Sequence, residues 1–192
     1  MKQLPNILTI LRIALTVAFV YFLMQPGLVF AFLAAGCFML ASLSDYYDGY
    51  LAKKYNWITN FGKLMDPIAD KFLMLAAFYI FMRMHIVMAW MFAVIALREV
   101  LVTGLRIAAI RKKLFLPAER AGKLKTVSQM MSVGVILVFI ILHRLPAFSS
   151  WMGVTLDIWM WGIQVLLMLT VALTVVSGIS YVWNNRMDLF RL

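Results

Sequence analysis

Six long apolar stretches divide this chain of 192 residues, and each is long enough to cross a lipid bilayer as an α-helix. They span residues 7–24, 28–50, 61–83, 87–111, 126–145 and 156–182. The stretches are continuous, without the alternation of apolar and polar residues that marks the strands of a membrane barrel. Because 65% of the residues are hydrophobic, an ordinary soluble domain is excluded. The sequence predicts an all-α integral membrane protein with six transmembrane helices in one domain, residues 1–192.

The basic residues predict how these helices are oriented. If the N-terminus is cytoplasmic, all of the 18 Lys and Arg residues except Arg83 and Arg144 lie at or near the cytoplasmic side. This distribution follows the positive-inside rule. We therefore expect a multi-pass protein of the cell (inner, cytoplasmic) membrane with both termini in the cytoplasm. The net charge of +10 indicates anionic partners such as lipid headgroups or phosphates, and not nucleic acid.

Four aspartates form two pairs near the predicted cytoplasmic ends of spans two and three. Asp45 and Asp48 are three residues apart, and Asp66 and Asp70 are four apart, so each pair shares one face of a helix. Carboxylates beside membrane helices are costly, and four so close together need cations between them. Oxygen ligands suit hard divalent metals. The pattern predicts a metal site between spans two and three. The alternative is helix-end aspartates that face water or pair with nearby lysines.

Small residues continue the helix faces that carry the aspartates. Gly49 and Ala52 extend the face of the first pair, and Gly62 extends that of the second. Small side chains let a bulky or phosphorylated group approach the backbone closely. Lys53 adds a positive charge that suits a pyrophosphate. A substrate with a charged head and acyl tails could place its head among the aspartates and its tails in the bilayer.

The whole segment resembles the signature of the CDP-alcohol phosphotransferase family, which reads D-x-x-D-G-x-x-A-R, eight residues, G-x-x-x-D-x-x-x-D. The matching positions are Asp45, Asp48, Gly49, Ala52, Gly62, Asp66 and Asp70. The chain departs from the pattern at Lys53, where the family has Arg. This change keeps the charge but replaces a bidentate fork with a point charge.

The resemblance implies a two-metal site that holds Mg²⁺ or Mn²⁺. Asp45, Asp48 and Asp66 would be metal ligands, and Asp70 would be the catalytic general base and would also contact the second metal. The implied site for CDP-diacylglycerol comprises the first two aspartates with Gly49, Ala52, Lys53 and Gly62. The N-terminal LPNILTILR is similar to the start of many family members, which adds Asn6 and Thr9 to that site. Arg12 of the same segment shares their helix face or extends to lipid headgroups.

Two further blocks, REVLVTGLRIAAIRKK and AGKLKT, resemble the branch of the family that uses glycerol phosphate as the acceptor. This resemblance implies transfer of a phosphatidyl group from CDP-diacylglycerol to sn-glycerol 3-phosphate, with phosphatidylglycerol phosphate and CMP as products. Within the blocks, Arg98 and Glu99 lie at membrane depth, where a charge pair is the least costly arrangement. The basic residues near the cytoplasmic face are candidates for binding the acceptor phosphate, or they mark topology alone. They are Arg106, Arg111, Lys123 and Lys125.

Other functions remain open at this point. The same chemistry could use another alcohol, such as inositol phosphate or phosphatidylglycerol. A divalent-cation transporter would also need an acidic cluster, but it would need polar residues along a path through the bilayer, and the outer halves of these spans are nearly all apolar. The family resemblance further implies a homodimer surrounded by membrane lipids.

Overall fold

A computed structural model describes residues 4–55, 60–111, 120–146 and 152–186, and within these residues the chain forms six α-helices and no strand. Side chains are described for a smaller set that leaves out residues 4–8, 45–55, 60–70, 106, 110–111, 120–121 and 152–155. The helices are α1 (Leu4–Met24), α2 (Leu28–Tyr55), α3 (Asn60–Arg83), α4 (Ala89–Arg111), α5 (Arg120–His143) and α6 (Met152–Asn184). The prediction of an all-α protein is confirmed.

Each helix contains most of one predicted apolar stretch, and two helices extend well beyond it. Helix α2 continues from residue 50 to Tyr55, and α5 begins at Arg120, before the predicted start at residue 126. The added segments, LAKKY and RAGKLK, contain Leu, Ala, Lys and Arg, which favour the helix without being apolar as a group. The apolar stretch therefore predicts the part of the helix suited to lipid, and not the full length of the helix.

Two helical segments are long and apolar enough to cross a membrane, by length and composition, among the residues the structure describes. They are Gly122–His143 in α5 and Leu156–Asn184 in α6. Shorter apolar segments, Thr9–Met24 and Leu28–Ser44, form much of α1 and the first part of α2. These segments agree with a membrane-bound helical protein, while the count of six spans stays a prediction.

The contacts divide the chain into two compact units. Unit 1 comprises Met1–Ile80 and Leu137–Met152, and unit 2 comprises Phe81–Ile136 and Gly153–Leu192. The boundary falls inside α3 and inside α5, so each of these helices contributes to both units. No flexible linker of irregular backbone separates the two units at these boundaries.

In unit 1, α1 and α2 form a hairpin around a tight turn. Gly27 has a φ angle of 109°, a conformation that favours glycine because a Cβ would be strained there. Across the hairpin the rings of Phe19 and Phe38 lie 5.7 Å apart between centroids. Arg144 donates two hydrogen bonds of 3.0 Å, from Nη1 to the carbonyl of Gly27 and from Nη2 to that of Leu23. The carbonyl of Gly27 also accepts from the amide of Ala31 at 3.4 Å, so the guanidinium adds a second bond there and supplies a partner to Leu23 in the last turn of α1.

In unit 2, the turn between α3 and α4 is fastened to α6. The amide nitrogens of Ile86 and Val87 both donate to the carbonyl of Phe81, and His85 between the helices has a φ angle of 59°. A left-handed residue other than glycine costs about 1 kcal/mol or more, so surrounding bonds must hold it. Gln164 supplies one of them, because its Nε2 donates to the carbonyl of Ile86 at 2.9 Å.

Hydroxyl groups join α5 to α6. Thr170 Oγ1 lies 2.6 Å from Ser128 Oγ and 2.9 Å from Ser132 Oγ, and Thr170 and Ser132 are both fully buried. Hydrogen bonds of this kind hold helices together where lipid gives no hydrophobic driving force between them. The α5–α6 contact therefore has a polar centre. Helix α5 also carries Lys125, which belongs to the charged cluster described below.

Candidate functional site

The two aspartate pairs lie on consecutive helices. Asp45 and Asp48 are in the second half of α2, and the apolar run of the sequence that precedes them covers residues 28–43. Asp66 and Asp70 are in the first half of α3. The backbone is helical at all four positions, so each pair occupies one helix face, as its spacing predicts. Their side chains lie outside the described set, and the metal site stays a prediction.

The predicted residues for the donor substrate lie on α1, α2 and α3. Gly49, Ala52 and Lys53 follow the first aspartate pair on α2, Gly62 lies near the start of α3, and Asn6 lies near the start of α1. The side chains of these residues are also outside the described set. Their role in binding CDP-diacylglycerol stays a prediction, with helical backbone at each position.

One face of α1 is polar and buried. Thr9, Arg12 and Thr16 are each 1% exposed, and Thr16 Oγ1 donates to the carbonyl of Arg12 at 2.8 Å. Arg12 is among the largest fully buried side chains of the protein. Of the two alternatives for Arg12, the shared interior face is therefore supported, and a side chain extended to lipid headgroups is not. A buried guanidinium in an apolar helix is costly to keep, so it needs counterparts inside the protein.

A buried charge cluster connects α4 and α5 in unit 2. Lys125 Nζ donates a hydrogen bond to Glu99 Oε1, and the two side chains are 1% and 2% exposed. Gln129 Nε2 lies 3.5 Å from the same carboxylate oxygen. Arg98 Nη1 is 3.6 Å from it, so the predicted pairing of Arg98 with Glu99 is confirmed. Lys125 is the closer partner of Glu99.

The predicted acceptor-binding residues occupy different environments. Lys125 is buried, whereas Lys123 on the same helix is exposed. A separation of two residues places them on different faces of α5. Arg106 is in the last part of α4 and Arg111 is its final residue, and their side chains are not among those described. From the sequence alone the four residues are equivalent candidates. The structure distinguishes two of them, because Lys125 is buried and contacts the Glu99 carboxylate, whereas Lys123 is exposed.

Comparison with known proteins identifies the family. The family model for CDP-alcohol phosphatidyltransferase matches residues 2–183. The chain belongs to the CDP-alcohol phosphatidyltransferase family. It is 37% identical over 198 residues to a Bacillus subtilis protein named CDP-diacylglycerol--glycerol-3-phosphate 3-phosphatidyltransferase, covering 96% of both chains. A Rickettsia typhi protein of that name is 35% identical, over 94% of this chain and 96% of its own. A Mycobacterium tuberculosis protein, named probable phosphatidylglycerophosphate synthase, is 32% identical over 97% of this chain and 83% of its own.

Membership of the CDP-alcohol phosphatidyltransferase family agrees with the chemistry of the four aspartates. The family is generally dependent on divalent metal ions. Four carboxylates on two consecutive helices provide oxygen ligands of the kind that hard divalent cations prefer. Among the side chains that the structure describes, no three His, Cys, Asp or Glu residues form a group that could hold a metal, and the four aspartates are not in that set. Their donor chemistry therefore fits the metals that the family uses.

The burial of Lys125 generates a prediction about stability. Replacement of Lys125 with Met keeps the length of the side chain but leaves the Glu99 carboxylate buried without its closest cation. Removing one partner of a buried ion pair costs about 3–5 kcal/mol, so we expect the free energy of unfolding of Lys125→Met to fall by that amount. The measurement is denaturant-induced unfolding of the purified protein in detergent, followed by circular dichroism.

Two further variants control this experiment. Lys123→Met changes the exposed lysine of the same helix and should alter the free energy of unfolding by less than about 0.5 kcal/mol. The double variant Glu99→Gln with Lys125→Met removes both charges and should recover most of the loss. Equal stability of the two single lysine variants would show that the Lys125–Glu99 pair does not hold α4 and α5 together.

Proposed function

We propose that this protein transfers the phosphatidyl group of CDP-diacylglycerol to sn-glycerol 3-phosphate, giving phosphatidylglycerol phosphate and CMP in anionic phospholipid synthesis. The observation that carries the proposal is similarity along nearly the whole chain to proteins named for this reaction. The matched region contains both aspartate pairs and the blocks around Arg98 and Lys125. Similarity of that extent covers the residues for the donor and those for the acceptor alike.

The donor side of the reaction is assigned to α2 and α3. Asp45, Asp48, Asp66 and Asp70 hold two divalent cations, Mg²⁺ or Mn²⁺. When bound, the cations stabilise negative charge on the diphosphate and on the departing CMP. Lys53 adds a positive charge on the diphosphate, while the small side chains of α2 leave room for the nucleotide.

The acceptor hydroxyl reacts at the phosphorus that carries the diacylglycerol. Its oxygen forms a bond to that phosphorus, the bond from phosphorus to the CMP oxygen breaks, and CMP leaves. Asp70 accepts the proton of the hydroxyl as general base, since a carboxylate within hydrogen-bonding reach of a hydroxyl can take its proton. The acceptor phosphate is bound by basic residues of α4 and α5, namely Arg106, Arg111, Lys123 and Lys125. Lys125 is the member of this set that Glu99 also fixes in place.

The membrane arrangement completes the proposal. Six spans in a single domain, residues 1–192, place both termini and the aspartates at the cytoplasmic side of the cell membrane, as the distribution of Lys and Arg supports. The charged head of CDP-diacylglycerol then meets the water-soluble acceptor at the membrane surface while its acyl chains stay in the bilayer. The protein is a homodimer in this proposal. A second copy of the chain covers part of the apolar surface, and membrane lipids cover the rest.

The reaction is tested by CMP release from CDP-diacylglycerol in mixed micelles with a panel of acceptors. We expect CMP release with sn-glycerol 3-phosphate and Mg²⁺ or Mn²⁺, and little with inositol phosphate or phosphatidylglycerol. A chelator should abolish it, because the carboxylates alone do not neutralise the diphosphate. Faster release with another alcohol would reject glycerol phosphate as the substrate while keeping the family chemistry. Mg²⁺ flux into lipid vesicles that contain the protein, without CMP release, would favour a transporter.

The metal ligands are tested by replacing aspartate with asparagine. Asp45→Asn, Asp48→Asn and Asp66→Asn each remove an anionic ligand, and an amide is a poor substitute for a hard cation. A bound metal stabilises the transition state by several kcal/mol, and each 1.4 kcal/mol corresponds to about a factor of ten in rate. We therefore expect the rate of CMP release to fall by more than about a hundredfold. The amount of protein in the membrane should not change. The matched control is Asp157→Asn, an exposed aspartate on α6, and any of the three that behaves like this control is not a ligand.

The departure from the family signature is tested at Lys53. Lys53→Arg restores the bidentate fork and should keep activity and lower the KM for CDP-diacylglycerol. Lys53→Ala should raise this KM by about 10–150-fold, the equivalent of one charge-assisted contact, and change kcat less. Lys54→Ala serves as the control because it removes an adjacent charge outside the signature. If both alanine variants leave the KM unchanged, Lys53 contributes to topology alone.

A further inference from the structure

Helix α6 carries a line of buried polar side chains in its second half. They recur at intervals of three or four residues, so they share one face of the helix. The members of the line on α6 are Thr170, Thr174, Ser177 and Tyr181, and Asn185, directly after the helix, continues it. Between them the helix is apolar and largely exposed, as suits a lipid-facing surface. Polar groups on the interior face of a membrane helix need hydrogen-bond partners, because water does not reach them.

Most of the line is satisfied by the backbone of α6 itself. Thr174 Oγ1 donates to the carbonyl of Thr170 at 2.7 Å, and Ser177 Oγ donates to that of Thr174 at 3.0 Å. Asn185 Nδ2 donates to the carbonyl of Tyr181 at 2.8 Å. The hydroxyl of Tyr181 differs: none of the residues that the structure describes forms a hydrogen bond with it, although the residue is 3% exposed. Tyrosines at membrane surfaces usually direct this group to water.

One turn before Tyr181, α6 lies against a positively charged residue of α4. The two helices pack closely there, because a Cβ added at Gly178 would lie 3.2 Å from Arg98 Cγ. Tyr181 follows three residues later on the same face and reaches farther from the helix axis than a serine or threonine. Arg98 in turn contacts Glu99, the carboxylate that also receives Lys125. The unsatisfied hydroxyl therefore belongs to the residue one turn after the contact of α6 with Arg98, which is a member of the charged cluster around Glu99 and Lys125.

We propose that Tyr181 binds the acceptor, donating its hydroxyl proton to an oxygen of the acceptor phosphate. A phenol donates a strong hydrogen bond to an anionic oxygen, and the neighbouring cations favour a ligand with negative charge. Binding then supplies the hydrogen-bond partner that the described residues do not provide, which explains why a buried hydroxyl is kept at this position. The assignment rests on the proposed function and adds α6 to the acceptor side, where the sequence indicated α4 and α5.

The test replaces Tyr181 with phenylalanine, which removes the hydroxyl and keeps the ring. The KM for sn-glycerol 3-phosphate should rise about tenfold, equivalent to about 1.4 kcal/mol. The KM for CDP-diacylglycerol, the kcat and the thermal unfolding temperature should stay at the wild-type values, because the hydroxyl forms no hydrogen bond with the residues that the structure describes. Tyr21→Phe is the matched control, since Tyr21 is a membrane-helix tyrosine that is 59% exposed. Equilibrium dialysis with sn-glycerol 3-phosphate gives the Kd of each protein without turnover, and it should rise for Tyr181→Phe alone.

Several outcomes would overturn the assignment. A KM and Kd for sn-glycerol 3-phosphate within about twofold of wild type, well below a decade, would show that the hydroxyl does not contact the acceptor. A loss of thermal stability would show that its partner belongs to the protein, and a lower kcat at constant KM would place it in the chemical step. Failure of the proposed function looks different: the wild-type protein itself would then release no CMP with sn-glycerol 3-phosphate, and the assignment of Tyr181 would fall with it.

Discussion

The cost of burying charge governs this protein more than any other constraint. Charged residues make up 14% of a chain that is 65% hydrophobic, so each charge inside the helices needs a counterpart. Glu99 meets that need with Lys125 and Arg98, from two helices. A buried ion pair often stabilises a fold no more than an apolar contact of the same size does. The loss of either partner, however, would leave the other charge buried and unpaired. It therefore specifies how α4 and α5 align.

The same constraint links the fold to the proposed chemistry. Four aspartates at the ends of apolar segments are tolerable if cations accompany them, and the cations that do so also neutralise a diphosphate. In the proposed mechanism, the basic residues of α4 and α5 supply the complementary charge for a phosphorylated alcohol. Both substrates are anions, and the chain carries a net charge of +10. A reaction between two anions at a membrane surface depends on this excess, because the protein must offset their mutual repulsion.

The helices were predictable from the sequence because the signal for them is local. Each apolar stretch is read from adjacent residues, and the signature with its four aspartates lies within residues 45–70. The Lys125–Glu99 contact was not predicted, since it joins residues that are 26 apart and lie on two different helices. A sign of it exists in the spacing of Lys125, Gln129 and Ser132, which places three polar residues on one face of α5. The sequence contains no comparable sign for the Tyr181 hydroxyl. Its lack of a hydrogen bond to the described residues depends on how the neighbouring helices pack around it.

The two bonds from Arg144 to the α1–α2 turn have a consequence for the order of assembly. Arg144 follows its acceptors at Gly27 and Leu23 by 117 and 121 residues, so the ribosome makes the hairpin long before the side chain that bonds to it. Until Arg144 has been synthesised, these two carbonyls lack the bonds from its guanidinium. The α1–α2 hairpin is therefore synthesised without these two bonds. Arg144, directly after α5, adds them late in translation.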